Sequence, residues 1–309
     1  MDKDFRICLI KLLYSLALRL TYITFQFHQI MRILLLLFAL AFTTCQMPGP
    51  SSDLVMCHDP GSAVDEFAMF ASESEFRAAH PDPKPIKIIN EGEVIEFPVE
   101  GQENGRGYRV MVDKNSQKYL LLFHEWWGLN DYVKREADMW SKELNVNVLA
   151  IDLYDGKVAT TSEDAGKLMQ ANNAERSIAL IKAAADFLGE KAEFSTMGWC
   201  FGGGWSLQAS LVLEDKAKYC VMYYGMPEKD TDKLNKLSAK VLMIHPNKDK
   251  WITGEVVTQF QDNMKAADKS LEVYHFDADH AFANPSSPRY NEEHAVQARK
   301  YVHAFLENF

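Results

Sequence analysis

Residues 194–204 read FSTMGWCFGGG, and this stretch decides the fold. The short apolar run from Phe194 to Met197 predicts a strand, and residues 205–213 predict a helix that follows almost at once. Glycines stand two positions before and two positions after Cys200. A turn that joins a strand directly to a helix leaves little room for side chains at those two positions. The pattern therefore predicts a cysteine held on a sharp turn between a strand and a helix.

Short apolar runs alternate with helical patterns on both sides of this turn, from about residue 86 to the C-terminus. Such alternation is typical of an α/β fold with a mostly parallel central sheet and helices on both faces. The predicted strands are 94–99, 108–112, 119–123, 146–152, 194–197, 219–224, 241–245 and 271–276, the first two as an antiparallel pair. The predicted helices are 131–144, 162–188 (in one or two pieces), 205–213, 254–267 and 292–306. Ligands of such sheets bind at the carboxyl ends of the strands.

The residues expected at that edge have the order of a hydrolase triad. Gly198-Trp199-Cys200-Phe201-Gly202 has the spacing of the G-x-S-x-G turn of α/β-hydrolases, with cysteine in place of serine. Asp249 and His280 each follow a predicted strand, in the chain order of that superfamily. His280 is expected to take the thiol proton, or to be an imidazolium beside the thiolate, and later to help water attack the acyl-enzyme. Asp249 is expected to fix the tautomer and orientation of His280. The new helix points its N-terminus at the sulfur, which favours a thiolate.

Several separated motifs resemble the dienelactone hydrolase family over about residues 85–309. They are HEWWGLN at 124–130, DLY at 152–154, the cysteine turn, Asp249 and HAF at 280–282. The resemblance implies that Glu125 lies beside Cys200 and helps to generate the thiolate when substrate arrives. It also implies an oxyanion hole made by the backbone N–H groups of Trp126 and Phe201, which would stabilise the charge of a tetrahedral intermediate.

The expected substrate pocket departs from the family pattern. Its candidate residues are Trp127, Tyr154, Trp199 and Asn284, with Trp126 and Trp251 as further aromatics that could equally be core. Family members that open dienelactones hold the substrate carboxylate with arginines, one of them four residues after the histidine. That position is Asn284 here, so the resemblance predicts the acyl-transfer machinery without predicting dienelactone specificity. Arg135 and Lys157 are the alternative partners for a substrate anion.

Composition excludes other classes of function. The 309-residue chain has a formal net charge of −10 and no basic run, which argues against a nucleic-acid partner. Its five cysteines include no C-x-x-C pair and no Cys/His cluster at zinc spacing, so neither a metal site nor a cofactor is predicted. The G-x-G-x-x-G spacing of a dinucleotide-binding turn is missing, because Leu207 stands at the third glycine position.

The first 85 residues predict an export leader and a linker. Met31-Arg32 precedes an apolar run at 33–42 that ends before Cys45, a layout typical of a signal peptide. We interpret Met31 as the initiator, residues 1–30 as an over-extended start, and residues 1–45 as the leader. Residues 46–85 are rich in proline and polar residues and predict a flexible linker with at most one short helix near 63–79.

The predicted location follows from this leader. Cys45 resembles the lipidated cysteine of a bacterial lipoprotein, and membrane attachment is expected only through it. The chain is expected to be exported, either periplasmic or anchored to a membrane, with a cytoplasmic location as the alternative.

Taken together, the sequence predicts an α/β-hydrolase domain over 86–309 that cleaves a small ester or lactone through a cysteine acyl-enzyme. The alternative is an exported binding or scaffold lipoprotein that keeps the fold without catalysis. A thiol-redox function is less favoured, because the turn has no second cysteine to resolve a disulfide.

Overall fold

The computed structural model describes residues 62–309, so the predicted leader at 1–45 and the start of the predicted linker lie outside the described residues. One eight-stranded sheet dominates the described part. Its strands are β1 (Glu93–Phe97), β2 (Gly105–Val110), β3 (Lys118–Phe123), β4 (Asn147–Ile151), β5 (Glu193–Trp199), β6 (Ala217–Tyr223), β7 (Lys240–Pro246) and β8 (Leu271–Phe276). The helices are α1 (Ala63–Met69), α2 (Ser74–Ala78), α3 (Asp131–Leu144), α4 (Ser162–Gln170), α5 (Ala174–Leu188), α6 (Phe201–Leu213), α7 (Thr231–Leu234), α8 (Gly254–Ala266) and α9 (Glu292–Leu306), with 3-10 turns at Phe70–Ser72 and Glu214–Lys216.

The strand order is β1-β2-β4-β3-β5-β6-β7-β8. Strand β2 pairs antiparallel with β1 and β4, and every other pair is parallel. The register aligns the carboxyl ends of the central strands, since Phe123 lies opposite Gly198, and Trp199 lies opposite Tyr223. The α/β-hydrolase fold predicted from the sequence is confirmed, and the carboxyl edge of its sheet gathers the loops after β3, β5, β6, β7 and β8.

Burial explains the apolar runs of the central strands. Leu120 to Phe123 in β3 and Val148 to Ile151 in β4 are fully buried, as expected where helices cover both faces of a parallel sheet. Helix α3 begins where the side chain of Asn130 accepts a hydrogen bond from the Val133 N–H, at 3.2 Å. It ends at Asn145, whose φ of 50° is a left-handed conformation that asparagine tolerates.

Helix α6 begins earlier than the sequence predicted. Its first residue is Phe201, directly after Cys200, whereas the pattern predicted a start at Trp205. The three glycines at 202–204 have low helix propensity, so a prediction based on local preference starts the helix only after them. The close approach of β5, β6 and this helix overrides that preference, because a Cβ at Gly203 would lie 2.7 Å from the Tyr223 carbonyl oxygen.

The structure differs from the predicted flexible linker over residues 62–80. This segment forms α1, a 3-10 turn and α2, and the side chains of Phe67 and Phe76 are at most 1% exposed. The burial of two phenylalanines stabilises a packed arrangement, although the prolines that follow are typical of a linker. Among residues 62–309, no helix is both long enough and apolar enough to cross a membrane.

Candidate active site

Cys200 occupies a strained turn between β5 and α6. Its φ of 57° and ψ of −120° lie outside the ordinary regions for a residue with a Cβ, at a cost of about 1–3 kcal/mol. Its N–H donates to the Tyr223 carbonyl at 2.9 Å, which ties the turn to the end of β6. A Cβ at Gly198 would collide with the Gly202 carbonyl, and one at Gly202 with the carbonyl of Phe123. Both flanking glycines are therefore required by backbone contact.

His280 and Asp249 form a buried pair at the same edge of the sheet. Asp249 Oδ2 accepts a hydrogen bond from His280 Nδ1 at 2.7 Å, and neither side chain is exposed. Asp249 Oδ1 accepts from the N–H groups of Trp251 and Ile252, both at 3.0 Å. These bonds fix the carboxylate, and the carboxylate holds the proton on Nδ1. The other imidazole nitrogen, Nε2, is thereby left as an acceptor.

The Cys200 sulfur lies close to this histidine without bonding to it. Sγ and one ring nitrogen of His280 are within 4.8 Å of each other. Among the described residues, His280 Nε2 has no hydrogen-bond partner. Cys200 itself is 1% exposed. The structure thus brings together the three residues predicted as a triad, and their catalytic roles stay predictions.

The surroundings of the Cys200 sulfur disfavour its ionisation. Burial raises the pKa of Cys200 well above its ordinary value of 9.0, and the negative charge of Glu125 raises it further. The Phe201 N–H at the start of α6 lowers the pKa, but its effect is the smaller one. The helix N-terminus acts in the expected direction, towards a thiolate, but desolvation of the sulfur is the larger effect on its pKa.

Glu125, the predicted thiol-activating residue, is a buried carboxylate with two side-chain hydrogen bonds. Its Oε2 accepts a hydrogen bond from the Asn284 amide, and its Oε1 accepts one from the Tyr224 hydroxyl at 3.5 Å. Burial raises the pKa of Glu125 to about 7, although both hydrogen bonds and the charge of Arg289 lower it. A carboxylate with a pKa near neutrality exchanges protons readily at the pH of most cells.

A neutral histidine fixes the backbone of Glu125. His124 Nδ1 donates to the Glu125 carbonyl at 2.6 Å, and His124 Nε2 accepts from the Leu153 N–H at 3.1 Å. Burial lowers the pKa of His124, which keeps one nitrogen available as an acceptor. The ring therefore links the loop after β3 to the loop after β4.

A cleft of about 420 Å³, which includes its open mouth, lies against Glu125. Three of the four predicted pocket residues, Trp127, Trp199 and Asn284, line it. Tyr154 does not line the cleft; its buried hydroxyl has no hydrogen-bond partner among the described residues, and burial raises its pKa. Of the two candidate anion partners, Arg135 lines the cleft, whereas Lys157 is exposed and outside it.

The two predicted oxyanion donors lie on opposite sides of the turn. Phe201 is the first residue of α6, and the first N–H groups of a helix have no partner within it. Trp126 follows β3, and its indole is fully buried against Trp127, with ring centroids 4.9 Å apart. The oxyanion hole therefore stays a prediction that the positions of both residues permit.

Three residues at this site were missed by the sequence analysis. His80 lies within 4.8 Å of the Cys200 sulfur, Tyr224 hydrogen-bonds Glu125, and Arg289 contributes to the pKa of both Cys200 and Glu125. Tyr224 could have been found, since it ends a predicted strand at the carboxyl edge. His80 and Arg289 belong to no motif, and they reach the site through packing between distant segments.

Comparison with protein-family models identifies the family of the chain. The model of the dienelactone hydrolase family matches residues 106–309. The chain belongs to this family. Its class is therefore that of a carboxylic ester hydrolase, and the resemblance noted in the sequence is confirmed. The helices α1 and α2, together with His80, lie ahead of the region that the family model matches.

Individual relatives share the fold at low identity. "Protein usf" of Aquifex pyrophilus is 29% identical over 209 residues, which cover 62% of this chain and 87% of that protein. A carboxymethylenebutenolidase of Pseudomonas sp. strain P51 is 29% identical over 100 residues, covering 32% of this chain and 41% of that one. The crystal structure of the dienelactone hydrolase-like promiscuous phosphotriesterase P91, from metagenomic libraries, superposes with a TM-score of 0.61 at 16% identity and covers 70% of this chain and 97% of its own.

Proposed function

We propose that this protein hydrolyses a small ester or lactone through an acyl-enzyme on Cys200, with His280 and Asp249 as the rest of the triad. One observation supports the proposal above the others. A histidine whose Nδ1 is held by a buried carboxylate at 2.7 Å has one ring nitrogen within 4.8 Å of the sulfur of a cysteine on a strained turn. Nucleophile, base and orienting carboxylate in this relation are the requirements of acyl transfer.

In the first half of the reaction the thiol loses its proton and attacks the ester carbonyl carbon. Glu125, with a pKa of about 7, accepts that proton when its carboxylate turns from Asn284 towards the sulfur. As the C–S bond forms, the carbonyl π electrons move onto the oxygen. The backbone N–H groups of Trp126 and Phe201 donate hydrogen bonds to this oxyanion. The C–O bond then breaks, and the alkoxide takes the proton from Glu125 and leaves as the alcohol.

In the second half a water molecule cleaves the thioester. His280 Nε2 removes a proton from the water as it attacks the acyl carbon, and Asp249 stabilises the imidazolium that forms. Collapse of the tetrahedral intermediate releases the acid and returns the sulfur to Cys200. The proton on the imidazole completes the balance by returning to the thiolate or to the leaving acid.

Arg135 is the candidate partner for a substrate anion in a cleft whose lining also includes the carboxylates of Glu125 and Glu136. Arg135 lines it beside Glu125, its Nε is buried without a hydrogen-bond partner among the described residues, and its guanidinium stacks over the Tyr132 ring at 5.3 Å. A carboxylate on the substrate would supply the acceptor that this guanidinium lacks. Arg135 thus takes the role that Asn284 cannot fill.

Turnover of p-nitrophenyl acetate by four forms of the protein tests the proposal. We expect the Cys200→Ala and His280→Ala variants to fall to the background rate, because each removes one half of the nucleophile–base pair. Cys200→Ser should lose most activity, since an alcohol is far harder than a thiol to ionise. Equal rates in the wild type, Cys200→Ala and His280→Ala would refute the enzyme and leave the binding lipoprotein. A fully active serine variant would refute the thiolate.

A second substrate tests the anion preference. The ratio of kcat/KM for mono-p-nitrophenyl succinate to that for p-nitrophenyl acetate is expected to fall by about 10-fold in Arg135→Gln, the value of one charge-assisted hydrogen bond. Lys157→Gln is the matched control, because it removes an exposed cation outside the cleft. A ratio that changes equally in both variants would contradict the role of Arg135.

A further inference from the structure

His80 places a second buried imidazole at the nucleophile. It follows α2, in the segment ahead of the region matched by the family, and it is 7% exposed. Its ring packs 5.4 Å from the His280 ring and 4.9 Å from the Trp126 ring, measured between centroids. The triad chemistry needs one imidazole, so the second one has no role in the reaction described above.

The three potential ligand atoms form a compact set. One nitrogen of His80, one nitrogen of His280 and the Cys200 sulfur all lie within 4.8 Å of one another. His80 Nδ1 is 2.7 Å from the Phe76 carbonyl, and His280 Nδ1 is 2.7 Å from Asp249. In each ring Nε2 is therefore the nitrogen that remains, and neither Nε2 has a hydrogen-bond partner among residues 62–309.

This arrangement is that of metal-binding histidines. A histidine that binds a metal through one nitrogen usually donates its other N–H to a carboxylate or a backbone carbonyl. His280 does the first and His80 does the second. Two imidazoles and one thiolate are a ligand set that suits Zn²⁺, which takes three protein ligands and leaves a fourth position open in sites of this kind.

We propose that His80, Cys200 and His280 bind a zinc ion. Zinc–nitrogen and zinc–sulfur bonds of about 2.0–2.3 Å in a tetrahedral site place ligand atoms about 3.3–3.6 Å apart. The present separations of up to 4.8 Å therefore close by little more than 1 Å, through small movements of the cysteine and of both histidine side chains. Binding replaces the thiol proton, which passes to solvent, and the fourth position takes a water molecule.

The charges around the site are mixed but favour a cation overall. The carboxylates of Asp249 and Glu125 lie close enough to raise the pKa of Cys200, and with the thiolate they provide up to three negative charges. Arg289 acts in the opposite sense, since it lowers the pKa of both Cys200 and His80. These negative charges compensate the charge of the divalent ion, and both imidazoles can bind it in their neutral form.

Zinc in this position would block the ester hydrolase. It would occupy both the sulfur that attacks and the nitrogen that accepts the proton, so acyl transfer would stop until the metal leaves. This consequence rests on the proposed function, whereas zinc binding itself does not. A single histidine of segment 62–80 would then make the enzyme subject to inhibition by zinc.

Binding is tested with Co²⁺ as a spectroscopic substitute for zinc on the purified, untagged chain. The wild type should show a thiolate-to-metal charge-transfer band and tetrahedral d–d bands, which added Zn²⁺ abolishes. His80→Ala should weaken zinc competition by at least about 10-fold, and Cys200→Ala should remove the charge-transfer band. His294→Ala is the matched control, as this half-buried histidine lies outside the cluster and should leave both signals unchanged.

The same titration separates failure of this proposal from failure of the proposed function. Zinc binding that is lost in His80→Ala, in a protein without esterase activity, would support the metal site and refute the enzyme. A Co²⁺ spectrum and zinc affinity identical in the wild type and His80→Ala would overturn the site, whatever the activity. A charge-transfer band of unchanged intensity in Cys200→Ala would come from another cysteine of the chain and would equally overturn the site. Should His80→Ala fail to fold by circular dichroism, His80→Gln is read in its place with the same criteria.

Discussion

Replacing Glu125 by glutamine is expected to stabilise the protein at high pH while it impairs catalysis. Burial raises the pKa of Glu125 from its ordinary value of 4.5 to about 7. An acid whose pKa is raised on folding favours the folded state only while it is protonated. Its contribution is fully present below pH 4.5, declines as the pH rises, and is lost above about pH 7.

The size of this effect follows from the pKa difference. A difference of about 2.5 at about 1.4 kcal/mol for each unit of pKa gives about 3 kcal/mol of free energy of unfolding. Glutamine has the same shape but carries no charge, so it avoids that cost. It can still accept the hydrogen bond that the Asn284 amide now donates to Glu125. We therefore expect Glu125→Gln to gain up to about 3 kcal/mol over the wild type at pH 8, and much less at pH 5.

Urea denaturation of both proteins between pH 5 and pH 8 measures this difference. Glu272→Gln provides the matched control, because it neutralises an exposed carboxylate on β8 and should change the stability little at any pH. A stability difference between Glu125→Gln and the wild type that stays constant over this range would refute the reasoning. So would a variant that is less stable than the wild type at pH 8.

Three further substitutions test the packing and the triad. Phe76→Ala should lower the free energy of unfolding by about 3–5 kcal/mol in urea titrations, because this fully buried ring packs edge-on against Trp126; a loss below 1 kcal/mol would mean that α2 is not part of the stable core. Gly202→Ala should prevent formation of the turn, since its Cβ would meet the Phe123 carbonyl, and soluble yield with a native circular dichroism spectrum would contradict this. Asp249→Asn should reduce kcat for p-nitrophenyl acetate by on the order of 10³-fold with KM little changed, as the imidazole loses its orienting charge; wild-type kcat would show that the carboxylate is not needed.

Much of the sheet could be predicted because its strands and helices have strong local patterns. Helix α3 spans Asp131–Leu144 and β8 spans Leu271–Phe276, as the apolar periodicity predicted. Continuous apolar runs marked the central strands, since both faces of a parallel sheet are covered. The start of α6 was misplaced by four residues because Gly202 to Gly204 disfavour a helix locally, and only the packing of the turn against its neighbours fixes it.

The candidate site was predictable only where residues follow strands. Cys200, Asp249 and His280 each lie just beyond a strand end, so the order of elements alone was sufficient to bring them to one edge. His80 is 120 positions before Cys200, in a segment whose prolines predicted a linker. Its place at the site depends on the burial of Phe67 and on tertiary packing that no local pattern contains.

The same limit applies to ionisation. The helix N-terminus at Cys200 is visible in the sequence, but the degree of burial that governs its pKa is not. Sequence reasoning therefore identified the effect of the helix on the thiol but not the larger, opposite effect of burial. The raised pKa of Glu125, which makes it a proton acceptor near neutrality, likewise follows from burial by residues distant in the chain.

Trapping the covalent intermediate tests the central claim most directly. The protein is mixed with p-nitrophenyl acetate, quenched in acid within the first turnover, digested, and mapped by mass spectrometry. We expect an acetyl group on the peptide that contains Cys200. This group should accumulate in His280→Ala, which lacks the base for deacylation, and should be absent in Cys200→Ala. Steady turnover by the wild type with no acyl group on that peptide, and with undiminished turnover in Cys200→Ala, would contradict the account.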